Sequence, residues 1–297
     1  MKAMNFEVTN MTTKEKYREP FKLRKELTRL PGYLVVTIWV TFTFFMIGWI
    51  ILASFSTTKE IFTGKLLASG INLDNFVKAF TKNKALLNLG NSVIYTVPSC
   101  ILIILVCAPA AYCLSRVRFR MNQIFEKLII IGLAIPNIMI VMPLFSVVNV
   151  LNISGSRGTL IFLYTACSVP YTTFFLMTFF RGISTTYEEA AAIDGCGPIR
   201  CFWEIMFPLV QPAVVTVTIF NFIGKWNEYF MALIFANRSE LRPIGVGLYQ
   251  TVTSMMNSGD WAGMFASVVI VFVPTVIIYI FLSDKIVSGV TAGGVKG

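Results

Sequence analysis

Histidine is absent from the 297 residues, which removes every mechanism that needs an imidazole base, proton shuttle or metal ligand. Cysteine offers no substitute: Cys100, Cys107, Cys113 and Cys167 fall inside apolar runs, and Cys196 and Cys201 sit on a polar loop without metal-ligand spacing. No G-x-x-x-x-G-K-[ST] phosphate loop occurs, because Gly224 and Lys225 lack both the upstream glycine and the following hydroxyl. Charge is scarce as well. Asp, Glu, Lys and Arg make up 13% of the chain, about half the share of a soluble domain. Together these shortages argue against catalysis by this chain, against a resident metal, and against direct use of a nucleotide.

Long apolar runs take the place of charge. The chain is 56% hydrophobic with a mean hydropathy of +0.71, and its apolar residues fall into six blocks near 33–55, 89–115, 124–148, 158–180, 211–235 and 263–283. Each is long enough to cross about 30 Å of hydrocarbon, which takes about 20 helical residues. The runs are continuous and do not alternate, so they predict helices and not barrel strands. The expected fold is an all-α membrane protein of six spans. A basic tail over residues 1–32, a membrane domain over 33–285 and a short tail over 286–297 complete the expected organisation.

Lys and Arg set the expected orientation. Lys2, Lys14, Lys16, Arg18, Lys22, Arg24, Lys25 and Arg29 precede the first block, and Arg116, Arg118 and Arg120 follow the second. Placing both groups on the cytoplasmic side puts both termini there, with the 181–210 loop. Lys59, Lys65, Lys78, Lys82 and Lys84 then lie outside, against the bias, but the tail abutting the first helix weighs more. The net charge of +10 is read as an anchor to anionic membrane lipid and not as a nucleic-acid surface. The first apolar run is too long for a signal-peptide core and is expected to be retained. Residues 14–29 form a basic amphipathic stretch expected to lie on the inner leaflet, with Pro31 and Gly32 as an elbow.

The polar interval 188–208 reads EEAAAIDGCGPIRCFWEIMFP. Ser184, Thr185 and Thr186 offer capping hydroxyls, and Glu188 and Glu189 place acid in a first turn where the helix dipole favours it. Ala190, Ala191 and Ala192 are strong helix formers. Asp194 and Gly195 end the stretch, Gly195 being suited to a left-handed stop, and Pro198 suits the start of a second helix. Capping explains the helices, yet a connection this long exceeds the few residues usual between elements.

Glu189, Ala190, Ala191, then Gly195, then Ile205, Phe207 and Pro208 match, at every spacing, the signature loop of permease subunits in ATP-binding-cassette importers, and the chain resembles that family. The resemblance implies a coupling helix that docks on a cytosolic ATPase, with Glu188, Glu189, Ala190, Ala191, Asp194 and Gly195 as its surface. Residues 222–235 with Trp226, Asn227, Glu228 and Tyr229, then Pro243, Gly245, Gly247, Leu248, Asp260 and Trp261, and the closing SGVTAGGVKG are similar to the maltose-type carbohydrate branch. The two similarities span about residues 85–297. The expected companions are a second permease subunit forming a heterodimer, two ATPase subunits that bind ATP and magnesium, and an extracellular solute-binding protein. This chain itself carries no cofactor, and its expected cargo is a sugar or oligosaccharide.

Lys225 and Glu228 are charges inside the fifth block. A single helix over 212–235 would be about 36 Å long, putting both near its middle, three residues apart and able to pair. Lipid exposure there costs about 2.5–3.5 kcal/mol per charge, so an interior or wet cavity is expected. With Asn221 one turn earlier and Trp226, Asn227 and Tyr229 alongside, the group suits a substrate pathway or, equally, a structural ion pair. Two rivals remain on the residues alone: an ion-driven transporter using Glu228 as a proton site, and an intramembrane enzyme acting on lipid-linked substrates. Prolines 98, 109, 136, 143, 170 and 274 predict kinks. The 236–261 segment reads as a flexible outer connection or an element entering a binding protein, and 288–297 as an extended tail.

Overall fold

The computed structural model describes residues 23–81 and 83–294, with side chains at 29–81, 83–281 and 283. Most of the predicted basic tail, and Lys296, therefore lie outside the described residues. Within them every regular element is helical. The chain divides between Trp49 and Ile50 into two compact units.

The first unit is the greater part of one helix, α1, Leu23–Ser54. The elbow expected at Pro31 and Gly32 does not form: Pro31 lies inside the helix, since one missing N–H is a small defect in so long a ladder. Its apolar side chains, among them Trp39, Phe42, Phe44 and Phe45, are exposed.

The second unit opens with two short helices, α2 (Thr58–Thr63) and α3 (Asp74–Thr81). Thr57 and Glu60 form a reciprocal capping box at the start of α2. Hydrogen bonds from the Ser69 hydroxyl and from the Thr57 and Ser69 amides hold the Glu60 carboxyl at about 2, below its usual 4.5.

The long helices α4 (Ala85–Arg116) and α7 (Arg157–Gly182) form the centre of this unit. Buried Ser92, Thr96, Ser99, Ile103, Cys107 and Ala111 fall on one stripe of α4 at helical spacing. Small and hydroxyl side chains let backbones approach where lipid removes any hydrophobic drive for helices to associate. The Ser99 hydroxyl donates to Ile161 O (3.4 Å), the Cys107 thiol to Val169 O (3.9 Å) and the Ser115 hydroxyl to Met177 O (3.4 Å). The sequence offset is the same in all three pairs, so α4 and α7 run parallel.

Parallel neighbours require the chain between them to return. It does so through α5 (Asn122–Ala134) and α6 (Asn137–Val150), apolar enough together for one span but bent by 106°. The bend falls at Pro136, whereas Pro98, Pro109, Pro143, Pro170 and Pro274 sit inside unbroken helices. α5 crosses α7 closely: a Cβ on Gly132 would lie 2.8 Å from Pro170 Cγ. A Gly132→Ala variant gains about 1 kcal/mol of helix propensity but must displace a rigid ring at a cost of about 1–3 kcal/mol. We expect a net loss of about 1 kcal/mol, read as a lower melting temperature of the solubilised protein.

After α7 come α8 (Thr186–Ile193), α9 (Pro198–Cys201), a π-helical turn (Phe202–Met206), α10 (Phe207–Leu209), α11 (Gln211–Trp226), α12 (Phe230–Phe235), α13 (Ile244–Ser258) and α14 (Trp261–Gly294). Four helices are long and apolar enough to cross a membrane, and up to six spans result if the bent pair α5–α6 and the pair 198–209 with 211–226, bent by 75°, each count as one. The helix expected over 212–235 is broken at 227–229, because Asn227 caps α11 and Glu228 caps α12. The 236–261 connection is not a loose loop. It is largely α13, held to the start of α4 by Asn91 Nδ2 donating to Glu240 O (2.7 Å), the Tyr95 hydroxyl to Leu241 O (2.7 Å) and Ile244 N–H to Ser92 Oγ (2.9 Å). The expected extended tail is also corrected: α14 continues to Gly294, its small residues lengthening the helix that precedes them.

Candidate functional site

Two assemblies gather the residues singled out from the sequence. The first is the 184–210 loop at the C-terminal ends of α4 and α7. α8 ends as Gly195 takes φ +73, with Gly195 N–H on Ala192 O (3.1 Å) and Cys196 N–H on Ala191 O (2.8 Å). This is a Schellman stop, which satisfies two otherwise orphaned carbonyls and needs a left-handed residue. Pro198 then starts α9 at N1.

The loop has an inner and an outer face. Ala191, Cys201, Phe202 and Met206 are buried within the core formed by α4, α7 and α11. The Phe202 ring sits 5.1 Å from Tyr112 and 6.3 Å from Phe180, centroid to centroid, and it stands where the helix widens to the π turn, a distortion common at functional sites. Outside, Glu189, Ala190, Asp194 and Gly195 are exposed, beside Ile193 at 86% and Ile199 at 78% exposure.

Glu188 does not share that outer face. Its carboxylate accepts from the Tyr112 hydroxyl (2.8 Å) and lies 3.7 Å from an Arg116 guanidinium nitrogen. Arg116 Nη2 also donates to Phe180 O (2.6 Å) and to Ile183 O. One arginine thus joins the last turn of α4, the end of α7 and the first turn of α8. The run of arginines after the second apolar block was legible as topology, but the inward role of Arg116 was not.

The second assembly is a cavity of about 240 Å³ between the start of α6 and the 227–229 break. Asn137 and Val141 of α6, Tyr164 and Cys167 of α7, Lys225 at the end of α11, Glu228 and Phe230 line it. Glu228 does not pair with Lys225. Its Oε2 accepts from the Tyr164 hydroxyl (2.7 Å) and from Ala232 N–H (3.0 Å), and its Oε1 from Met231 N–H (2.7 Å). The Lys225 ammonium instead lies over the Tyr164 ring, 5.3 Å from its centroid.

The remaining residues of the expected pathway point elsewhere. Asn221 is buried and donates to Thr172 Oγ1 (2.9 Å) and Val217 O (2.9 Å), tying α11 to α7. Trp226 stacks on Phe222 and donates from Nε1 to Thr275 Oγ1 (3.1 Å) on α14. Asn227 is exposed and donates to Ile223 O (3.0 Å), and Tyr229 packs on Tyr249 of α13. Only Lys225 and Glu228 of the six share the cavity, because the break after Trp226 turns the chain. Tyr164, Asn137 and Phe230 complete its wall. The Pro136–Asn137 dipeptide within an apolar run was the one sequence signal for part of it.

Known proteins place these assemblies in a family. The family described as binding-protein-dependent transport system inner membrane component matches residues 101–291. The chain is 34% identical to a sulfoquinovosyl glycerol transport system permease protein of Agrobacterium fabrum, covering 84% of this chain and 87% of that one. It is 28% identical to a trehalose/maltose transport system permease protein of Thermococcus litoralis, over 92% of this chain and 98% of that one. Its fold is similar to a chain of a bacterial ABC transporter involved in import of the acidic polysaccharide alginate, with TM-score 0.79, 21% identity, and coverage of 89% and 98%. The chain belongs to the family of inner membrane components of binding-protein-dependent transport systems, and is a multi-pass transport permease and not an enzyme.

Proposed function

We propose that this chain is the permease of an ATP-driven importer for a sugar or oligosaccharide, working with a second permease, two ATPase subunits and a solute-binding protein. The observation that carries the coupling half is the rod α8. It is held from inside by Glu188 on Tyr112 and Arg116, and it presents Glu189, Asp194, Gly195 and Ile193 outward. A rod fixed at its base and exposed at its tip suits an ATPase cleft, and Arg116 with Phe202 gives force on the rod a rigid path into α4 and α7. ATP and magnesium belong to the partner. The carbohydrate half is supported by relatives whose names specify sulfoquinovosyl glycerol, diacetylchitobiose and trehalose/maltose. Lys225 and Glu228, with the cavity they line, form the part of the expected pathway open to cargo.

In this reading the α8 end is cytoplasmic, and the segment carrying α13 faces outside, where a binding protein docks. The deciding experiment is purification of the tagged chain followed by uptake in vesicles. ATPase subunits should co-purify, and uptake should follow internal ATP and persist when ion gradients are collapsed with ATP held constant. Uptake abolished by an uncoupler at constant ATP, with no ATPase bound, overturns the proposal in favour of ion-driven transport.

A further inference from the structure

Lys225 stands apart within its cavity. It lies in the last turn of α11, fourteen residues and about 21 Å along the helix from Gln211, well away from the polar loop. A cation at such depth is costly unless paired or wet. Among the described residues no carboxylate lies within 4 Å of its ammonium. The one acid nearby, Glu228, spends both oxygens on the Tyr164 hydroxyl and on two amides at the start of α12. The ring of Tyr164 is the contact the ammonium does make, and it leaves the N–H donors free.

We infer that the cavity takes a saccharide bearing an anionic substituent, a carboxylate or sulfonate, with Lys225 as its counter-ion. Glu228 is fixed as a cap and cannot swing onto Lys225 without breaking three hydrogen bonds, so the ammonium keeps its N–H donors open to a charged acceptor on the occupant. The remaining wall suits a sugar ring. Asn137 offers an amide to hydroxyls, and Phe230, 41% exposed, offers an aromatic face. A volume of about 240 Å³ is far more than one carboxylate side chain from a neighbouring subunit would fill. The inference rests on the cavity being part of the cargo pathway, as proposed above.

Because a solute-binding protein imposes its own selectivity, the test uses the purified permease complex in nanodiscs without it. Binding of cellobiose and of its uronic acid counterpart, cellobiouronic acid, is measured by thermal shift and titration for the wild type, Lys225→Met and Lys225→Arg. We expect the wild type to bind the acidic disaccharide at least about tenfold more tightly, one charge-assisted contact being worth about 1.5–3 kcal/mol. Lys225→Met should lose that preference, and Lys225→Arg should keep most of it. Equal wild-type affinity for the two sugars overturns the acidic class and leaves the pathway reading standing. If neither sugar binds and Lys225→Met transports as the wild type does, the pathway reading itself fails. A Lys225→Met complex that falls apart, restored by Lys225→Arg with no change in selectivity, shows that the ammonium pairs with a neighbouring subunit and also overturns the inference.

Discussion

A Gly195→Asp variant should assemble normally and yet lose on the order of tenfold in uptake. The reasoning separates folding from docking. Gly195 has φ +73, and a Cβ built there meets no heavy atom within 4 Å, so the loop has room for the side chain. Asp is one of the few residues that visits the left-handed region, where an L-residue pays about 1–2 kcal/mol. The loss must then arise outside the chain, where the new carboxylate joins exposed Glu189 and Asp194 on the surface proposed above to dock an ATPase subunit. Misplaced like charge at an interface costs several kcal/mol. The measurement is uptake together with ATP hydrolysis by the intact complex. Hydrolysis that continues while uptake falls fits a docking surface. Gly195→Asn, with the same backbone tolerance and no charge, should retain most of the activity, and wild-type uptake in the Asp variant would remove Gly195 from the interface.

Replacing Arg116 by Met should be the most damaging single change in the membrane core. The guanidinium satisfies the Phe180 and Ile183 carbonyls and faces Glu188, and its side chain is 9% exposed against 21% for Glu188. Removing it orphans the Ile183 carbonyl at about 1–3 kcal/mol and leaves Phe180 O with the Ile183 N–H alone. It also strips a partner from a partly shielded carboxylate, a smaller loss because water still reaches it. A total of about 2 kcal/mol is expected, a fall of about 4–8 °C in the melting temperature of the complex. Glu188→Gln should cost less, because the amide oxygen still accepts from Tyr112. A cycle of Glu188→Gln and Tyr112→Phe measures the coupling between them directly. If Arg116→Met melts with the wild type, the joint between α4, α7 and α8 carries no load. If it melts early but residual complexes still move cargo at the wild-type ratio to ATP, the arginine is a staple and not part of the transmission.

The loop and the cavity differ in how far the residues alone revealed them, for a physical reason. α8 was readable because helix signals are local: acid in the first turn, an alanine run, a glycine stop and a proline start act within a few residues of one another. The split of α8 into faces was not readable, since it depends on Tyr112 and Arg116, more than 70 residues away, meeting Glu188. In the fifth apolar block the same local reasoning misled. Hydropathy treats 211–235 as one stretch, but Glu228 finds the Tyr164 hydroxyl on α7 and two amides on α12, which makes the broken form the lower in energy. Lys225 and Glu228 were predicted to pair from their spacing on a continuous helix. Once Asn227 ends that helix the spacing no longer brings them together.

By itself the sequence determined the solvent of this protein and its all-helical class. A chain with so few charges and such long continuous apolar runs satisfies its backbone in lipid as helices. The capped rod between the fourth and fifth runs was fixed in the same way, by neighbours in the chain. Tertiary structure alone decided where the helices break, which side chains of the rod turn inward, and that Lys225 and Glu228 share a cavity without forming an ion pair. Those outcomes turn on hydrogen bonds and charges meeting across dozens of residues, and in a low-dielectric interior such meetings outweigh the local preferences that a sequence displays.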